Sequence, residues 1–116
     1  MSEICFTKAK SINNVNKPTP RSNHKMVDNG INEAYMFGGF NENGECLPDL
    51  WSFKLLNNNI NDIKWKYIET RNNIQERQDC GMIYYKKKIY IIGGSGWNND
   101  KVLNDINYLE LNNNEW

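Results

Sequence analysis

The sequence is poor in the residues that carry most metal and nucleophile chemistry. Its 116 residues include one histidine, His24, and three cysteines, Cys5, Cys46 and Cys80, all far apart. One His with scattered thiols cannot supply the clustered donors of a usual zinc site. No cysteine has a neighbouring His in the sequence to hold it as a thiolate, so a cysteine nucleophile is not expected. No stretch approaches the roughly 20 apolar residues of a membrane-spanning helix. The opening "MSEICFTKAK" does not read as a secretory signal. Basic and acidic residues balance at 14 each, so there is no bulk charge to hold nucleic acid. Lys86-Lys87-Lys88 is the only dense basic run, and it reads as a solvated turn. An odd number of scattered cysteines points to reduced thiols, hence a cytoplasmic protein.

Other motifs fall short of chemistry. "GGSG" at 93–96 lacks the Lys-Ser/Thr of a phosphate loop. "NENGE" at 41–45 lacks the distant bidentate Glu of a calcium loop and reads as a connection between strands. Ser52 has no glycine elbow around it. No catalytic residue, cofactor site or metal site is expected.

What is present is repetition. "EAYMFGG" (33–39) matches "KIYIIGG" (88–94) at an offset of 55. "RSNHKMV" (21–27) matches "RQDCGMI" (77–83), and "LPDLWSFKL" (47–55) matches "LNDINYLEL" (103–111), both at 56. Trp65 follows one unit, and Trp116 stands at the corresponding place after the next. Landmarks in one order at nearly constant spacing mark an internal repeat of about 55 residues.

Each unit reads as short strands. "HKMV", "AYMFGG", "LWSFKL" and "KWKYIE" are rich in aromatic or β-branched residues and bounded by turn formers. "SFKL" and "NYLEL" alternate apolar and polar residues, the period of a half-buried strand. No segment holds a 3.6-residue period over three turns. Asparagine clusters at 57–59, 72–73, 98–99 and 112–114 fall between these segments, where turns tolerate them. A unit is therefore four antiparallel strands, a to d, in a meander.

A repeat of this length, with Gly-Gly after strand b and Trp in strand d, resembles the kelch motif. The residues that carry the resemblance are Arg21, Gly38, Gly39, Asp49, Trp51, Phe53 and Trp65 in the first unit. In the second they are Arg77, Gly93, Gly94, Asp105, Tyr108 or Leu109, and Trp116. Asn107 stands where the first unit has Trp51, so packing there should differ. The resemblance implies an all-β fold of antiparallel four-stranded blades, an incomplete kelch-type β-propeller of about two blades. Residues 1–20 then read as strand d of a preceding blade with its d–a loop, 21–69 as one repeat, and 70–116 as a second lacking most of strand d. Residues 4–10 are candidates for that missing strand, from the same chain or another. A ring needs roughly 4 to 8 blades, and open blade faces are sticky. The chain is therefore expected to be part of a larger propeller or, failing that, to self-associate.

In kelch proteins a His often follows the Arg at the start of strand a, which gives His24 a structural reading; the second unit has Cys80 there. Kelch-like copper oxidases use Tyr with more than one His, so that activity is not expected. Gly38 and Gly39 are expected to end strand b where aromatics of strands c and d pack across the blade. The d–a and b–c loops of kelch propellers share a face that commonly binds partner peptides. Arg21 and Arg77 are expected to hold those loops, leaving Arg71 freer. Trp97 lies in a b–c loop with no counterpart in the first unit. Trp97 and Arg71 are thus the candidate partner contacts. The resulting expectation is a non-enzymatic scaffold binding a protein partner through loops, with no nucleic-acid or membrane partner. The alternatives are the N-terminal targeting or substrate-recognition part of a larger enzyme, such as a phosphatase or ubiquitin-ligase adaptor, and a self-assembling propeller fragment.

Overall fold

Short alternating runs separated by turn residues give hairpins, and hairpins in series give meanders. The computed structural model describes residues 16–55, 63–96 and 101–116. Its strands are β1 (Lys25–Asp28), β2 (Glu33–Phe37), β3 (Leu50–Leu55), β4 (Ile63–Ile68), β5 (Gly81–Tyr85), β6 (Lys88–Ser95) and β7 (Val102–Glu110). There is no helix among the described residues. Two antiparallel sheets result, ordered β1-β2-β3-β4 and β5-β6-β7. This is the all-β architecture expected from the sequence, with incomplete blades. Residues 4–10 and Cys5 lie outside the described residues.

The register decides which residues meet. Phe37 pairs with Leu50, and Leu50 with Ile68; Met36 pairs with Trp51, and Trp51 with Tyr67. Residues directly opposite share a face. One face of the first sheet therefore carries Tyr35, Phe37, Leu50 and Ile68, and the other carries Met36, Trp51, Phe53, Trp65 and Tyr67. The first of these faces packs on Cys80, Ile89, Ile91 and Leu109 of the second sheet, so the core lies between the sheets. Tyr35 stacks on Tyr84 at 6.1 Å, and Phe37 meets Trp116 edge-on at 5.6 Å. Fully burying a side chain such as Phe37 or Leu50 contributes about 1.5–3 kcal/mol. A one-residue slip would turn these side chains away from the core. On the other face, edge-on pairs join Trp51 to Tyr67 (5.4 Å) and Phe53 to Trp65 (5.0 Å) across β3 and β4.

The turns differ between the sheets. Lys86 and Lys87 join β5 to β6 with φ of 49° and 61°, the left-handed pair of a primed two-residue hairpin. The lysine run is thus a turn, as its solvated composition suggested. Lys86 Nζ lies 5.2 Å over the Tyr85 ring, and Lys88 pairs with Glu110 at 3.4 Å. The first sheet uses a longer connection, in which Asn29 Oδ1 accepts from the amides of Ile31, Asn32 and Glu33.

The double glycines also behave differently. β2 stops at Phe37, before Gly38 and Gly39, whereas β6 runs through Gly93 and Gly94 to Ser95. A register irregularity between Ile92 and Gly94 lets the strand continue. The expectation that the pair ends the strand therefore holds in one unit only. After β7 a turn over 112–114 brings Glu115 back beside Glu110, and Trp116 lands against Phe37.

Candidate functional site

At the glycine end of each sheet stands one polar node, built twice. Arg21 donates through Nε to the Thr19 carbonyl (3.1 Å) and through Nη1 to the Gly38 carbonyl (3.1 Å). The same guanidinium grips Asp49 with both Nη atoms, at 2.6 and 3.0 Å. Arg77 repeats the pattern: Nε to Gln75 O (3.0 Å), Nη1 to Gly93 O (3.1 Å), and both Nη atoms to Asp105 at 2.6 and 2.9 Å. A planar five-donor fork satisfies a carboxylate and two carbonyls together; a lysine cannot. Arg77 is the largest fully buried side chain, 1% exposed, and burial of that charge is tolerable because its donors are matched.

A third donor completes each carboxylate. Trp51 Nε1 donates to Asp49 at 2.7 Å, and Asn107 Nδ2 donates to Asp105 at 2.8 Å. Packing does differ at Asn107, since its indole counterpart pairs with Tyr67, yet the hydrogen bond is kept. Hydrogen bonds from Arg77 hold the Asp105 carboxyl at about 2, against partial burial that would raise it. Burial pushes Asp49 upward more strongly, but hydrogen bonds from Arg21 and Trp51 prevail, and its carboxyl too lies below the ordinary range.

The glycines need their backbone freedom. Gly38, Gly39, Gly93 and Gly94 have φ of 70°, 104°, 60° and 102°, a region other residues enter only with strain. They also sit against backbone. A Cβ on Gly38 would lie 2.5 Å from the Arg77 carbonyl oxygen, and one on Gly39 2.8 Å from that of Ser22 and 3.0 Å from His24 Cβ. On Gly94 it would meet Gln78 O at 2.7 Å and Cys80 Cβ at 3.0 Å. The expected aromatic neighbours are therefore replaced by carbonyls of the d–a segment. The reason is that Arg21 and Arg77 draw this segment onto the glycines. His24 and Cys80 occupy matching places under Gly39 and Gly94, and burial raises the Cys80 thiol.

The two units are stitched together here. Gly39 N donates to Arg77 O at 3.0 Å, and Asp79 N to Asn23 O at 2.8 Å. Asn23 Nδ2 donates to Gln78 Oε1 at 3.0 Å. On this base the segment after Gly39 forms a compact loop. Asn41 Oδ1 accepts from the amides of Asn43 and Glu45, each at 3.0 Å, and Asn41 N donates to Glu45 O. Glu42, Asn43, Gly44 and Glu45 are left exposed at its tip. The matching connection in the second unit starts with Gly96 N donating to Lys101 O at 3.0 Å. Trp97, the candidate contact there, lies outside the described residues.

Arg71 is not free. Its Nη2 donates to Asn113 O at 3.1 Å and pairs with Glu115 at 3.5 Å, while its backbone bonds Asn114 and Trp116. Leu111 N bonds Lys87 O, so this segment lies at the lysine-turn end of the second sheet, away from Gly93 and Gly94. Charge and loop position alone could not show that Arg71 ties the start of the second unit to its end. The sequence places Asn107 where the first unit has Trp51, but the donor role it shares with the indole shows only in the structure, although its spacing of two from Asp105 is a usable signal. Among the described residues, no group of three or more His, Cys, Asp or Glu is placed to hold a metal ion.

The family model described as the KLHDC2/KLHL20/DRC7 Kelch-repeats domain matches residues 6–116. No curated protein matches the chain.

Proposed function

The chain belongs to the kelch-repeat family, and on that premise we propose that it is a non-catalytic scaffold whose b–c connections contact a protein partner. Kelch-repeat domains serve generally as protein–protein interaction modules. The observation that carries the reading is the loop at 41–45, exposed at its tip and fixed at its base. Asn41 folds it, and the Arg21–Asp49 node with the Gly38-Gly39 turn anchors it. A rigid support under a variable loop is the usual arrangement for recognition, and preorganisation lowers the ordering cost of binding.

In this reading Glu42 and Glu45 offer carboxylates to a basic segment of the partner, and Trp97 adds an aromatic anchor from the neighbouring connection. Arg71, tied within the chain, contributes by holding the second unit in place, though its side chain remains accessible. Buried free thiols at Cys46 and Cys80 support a reducing, cytoplasmic setting. The same loops would serve if the chain is the targeting part of a larger enzyme. The test is capture of bound proteins by the wild type and by the Glu42→Lys/Glu45→Lys variant. Proteins retained by the wild type and lost from the variant are expected; identical recovery by both would count against the loop.

A further inference from the structure

The sequence contains the pair Asn-Gly twice, at Asn29-Gly30 and at Asn43-Gly44. Such a pair has a chemistry of its own. The backbone nitrogen of the glycine can attack the side-chain amide carbon of the asparagine before it, and an intramolecular attack needs only the right approach. Glycine permits that approach because it sets no Cβ beside the attacking nitrogen. This is one source of the thermal lability of asparagine.

The fold treats the two pairs differently. Asn29 is half-buried, and its Oδ1 accepts from the amides of Ile31, Asn32 and Glu33 at 2.9, 3.1 and 3.2 Å. Gly30 N donates to Asp28 Oδ1 at 2.8 Å. Both reacting groups are therefore engaged, the side chain over the turn that follows it and the nitrogen on a carboxylate. At the second pair the side chain is free. Asn43 and Gly44 stand exposed at the tip of the 41–45 loop. The loop is folded by Asn41, whose Oδ1 accepts from the amides of Asn43 and Glu45; among the described residues, nothing bonds the side chain of Asn43. Gly44 N donates only to Asn41 O, at 3.2 Å, the long end of the hydrogen-bond range. Gly44 lies in open space: a Cβ there would meet nothing nearer than the Phe40 ring, at 3.9 Å. Water and hydroxide reach this pair freely.

We propose that Asn43 is a site of spontaneous deamidation through cyclisation onto Gly44, and that the turn around Asn29 protects it from the same reaction. Hydroxide takes the Gly44 amide proton. The bond from Gly44 N to Asn43 Cγ forms, the Cγ–Nδ2 bond breaks, and the amide nitrogen leaves as ammonia with a proton drawn from water. Water then opens the cyclic imide at either carbonyl. Attack at Cγ gives aspartate, and attack at the backbone carbonyl gives isoaspartate. One water is consumed and one ammonia released, with no change of oxidation state. The product sets a third carboxylate beside Glu42 and Glu45. Its isoaspartyl form also carries the chain through an extra methylene, between the two amides that Asn41 holds. The reaction does not require the loop to bind a partner, so the two proposals stand or fall separately.

The test is to hold the full chain in mildly alkaline buffer at body temperature and sample it over time. Digestion, chromatographic separation of aspartyl from isoaspartyl peptides, and mass spectrometry then read both positions in each sample. Near-ultraviolet circular dichroism checks that the chain stays folded. Aspartate and isoaspartate are expected to accumulate at position 43. Conversion at 29 is expected to be at least about tenfold slower, because each amide bond that must open slows the approach by up to about tenfold. In urea the turn is lost, and the two rates are expected to converge. Gly44→Ala, which sets a Cβ beside the attacking nitrogen, is expected to slow conversion at 43. Equal conversion at 29 and 43 in the folded chain overturns the proposal. So does conversion at 43 that occurs only in urea, and so does aspartate without isoaspartate, which would mean direct hydrolysis. Rates that stay as far apart in urea overturn it as well, because the flanking residues, and not the turn, would then set the difference.

Discussion

The first unit and the second agree at their polar nodes and differ in what surrounds them. Arg21 with Asp49 and Arg77 with Asp105 make the same contacts within a few tenths of an ångström. Yet Asp105 has 42% of its side chain exposed and Asp49 21%. The first node sits under a tryptophan paired with Tyr67; the second makes do with an asparagine. What the repeat preserves is a set of donors and acceptors around a backbone crossing. Hydrophobic filling around it is free to change, because apolar contacts are non-directional while a bidentate ion pair fixes angles as well as distances.

The largest expected effect comes from removing a node. Arg77→Leu leaves Gly93 O without its donor and Asp105 without its counter-charge. Loss of one partner of a fully buried pair costs about 3–5 kcal/mol, and the loss here falls below that because water reaches Asp105, 42% of whose side chain is exposed. Urea unfolding of the full chain should show it, and a midpoint close to wild type would mean that the node does not hold the second unit. A smaller effect distinguishes the glycines. Gly38→Ala meets a carbonyl of the other unit at 2.5 Å, whereas Gly93→Ala meets Leu103 O at 3.0 Å. Left-handed strain alone costs about 1–3 kcal/mol at each, so thermal melting should rank Gly38→Ala as the worse. The reverse ranking would remove the claim that the units are pressed together at Gly38. Gly39→Val, clashing with Ser22 O and His24, belongs near the Gly38 variant.

Smaller again is the third donor. Trp51→Phe keeps a ring but loses the bond to Asp49, and Asn107→Leu loses the bond to Asp105; about 1 kcal/mol is expected from each lost bond. Unequal losses in denaturant midpoint would show that the two nodes are not energetically alike. The smallest effect is with pH. Both carboxyls have folded values below their unfolded ones, so the stability they add is complete above the unfolded value and is lost as pH falls through the folded one. For Asp105 that window runs from the ordinary carboxylate range down to about 2. Solvent screening of this half-exposed group keeps the effect modest. Unfolding midpoints from neutral pH down to the window should fall less for Asp105→Asn than for the wild type; parallel curves would dismiss the linkage.

The strands and the repeat were legible because glycine, arginine and aspartate are hard to replace where backbone crowding and a forked ion pair are required. The neighbours of the glycines were not legible. Gly38 touches the carbonyl of Arg77, a contact between units that no within-unit pattern encodes. The continuation of β6 through Gly93 and Gly94 depends on a local register shift, which composition does not report. Arg71 reads as a free loop cation until the turn over 112–114 brings Asn113 and Glu115 to it.

Arg77 serves both units at once. Its side chain is bonded within the second unit, through Asp105 and Gly93, while its carbonyl accepts Gly39 N of the first. In a repeat protein, stability divides into the intrinsic terms of each unit and the coupling between nearest neighbours. A residue that belongs to both terms ties the melting of one sheet to that of the other. The two sheets should therefore unfold in a single transition, with the Arg77 peptide group adding a directional link to the coupling that the core between the sheets supplies.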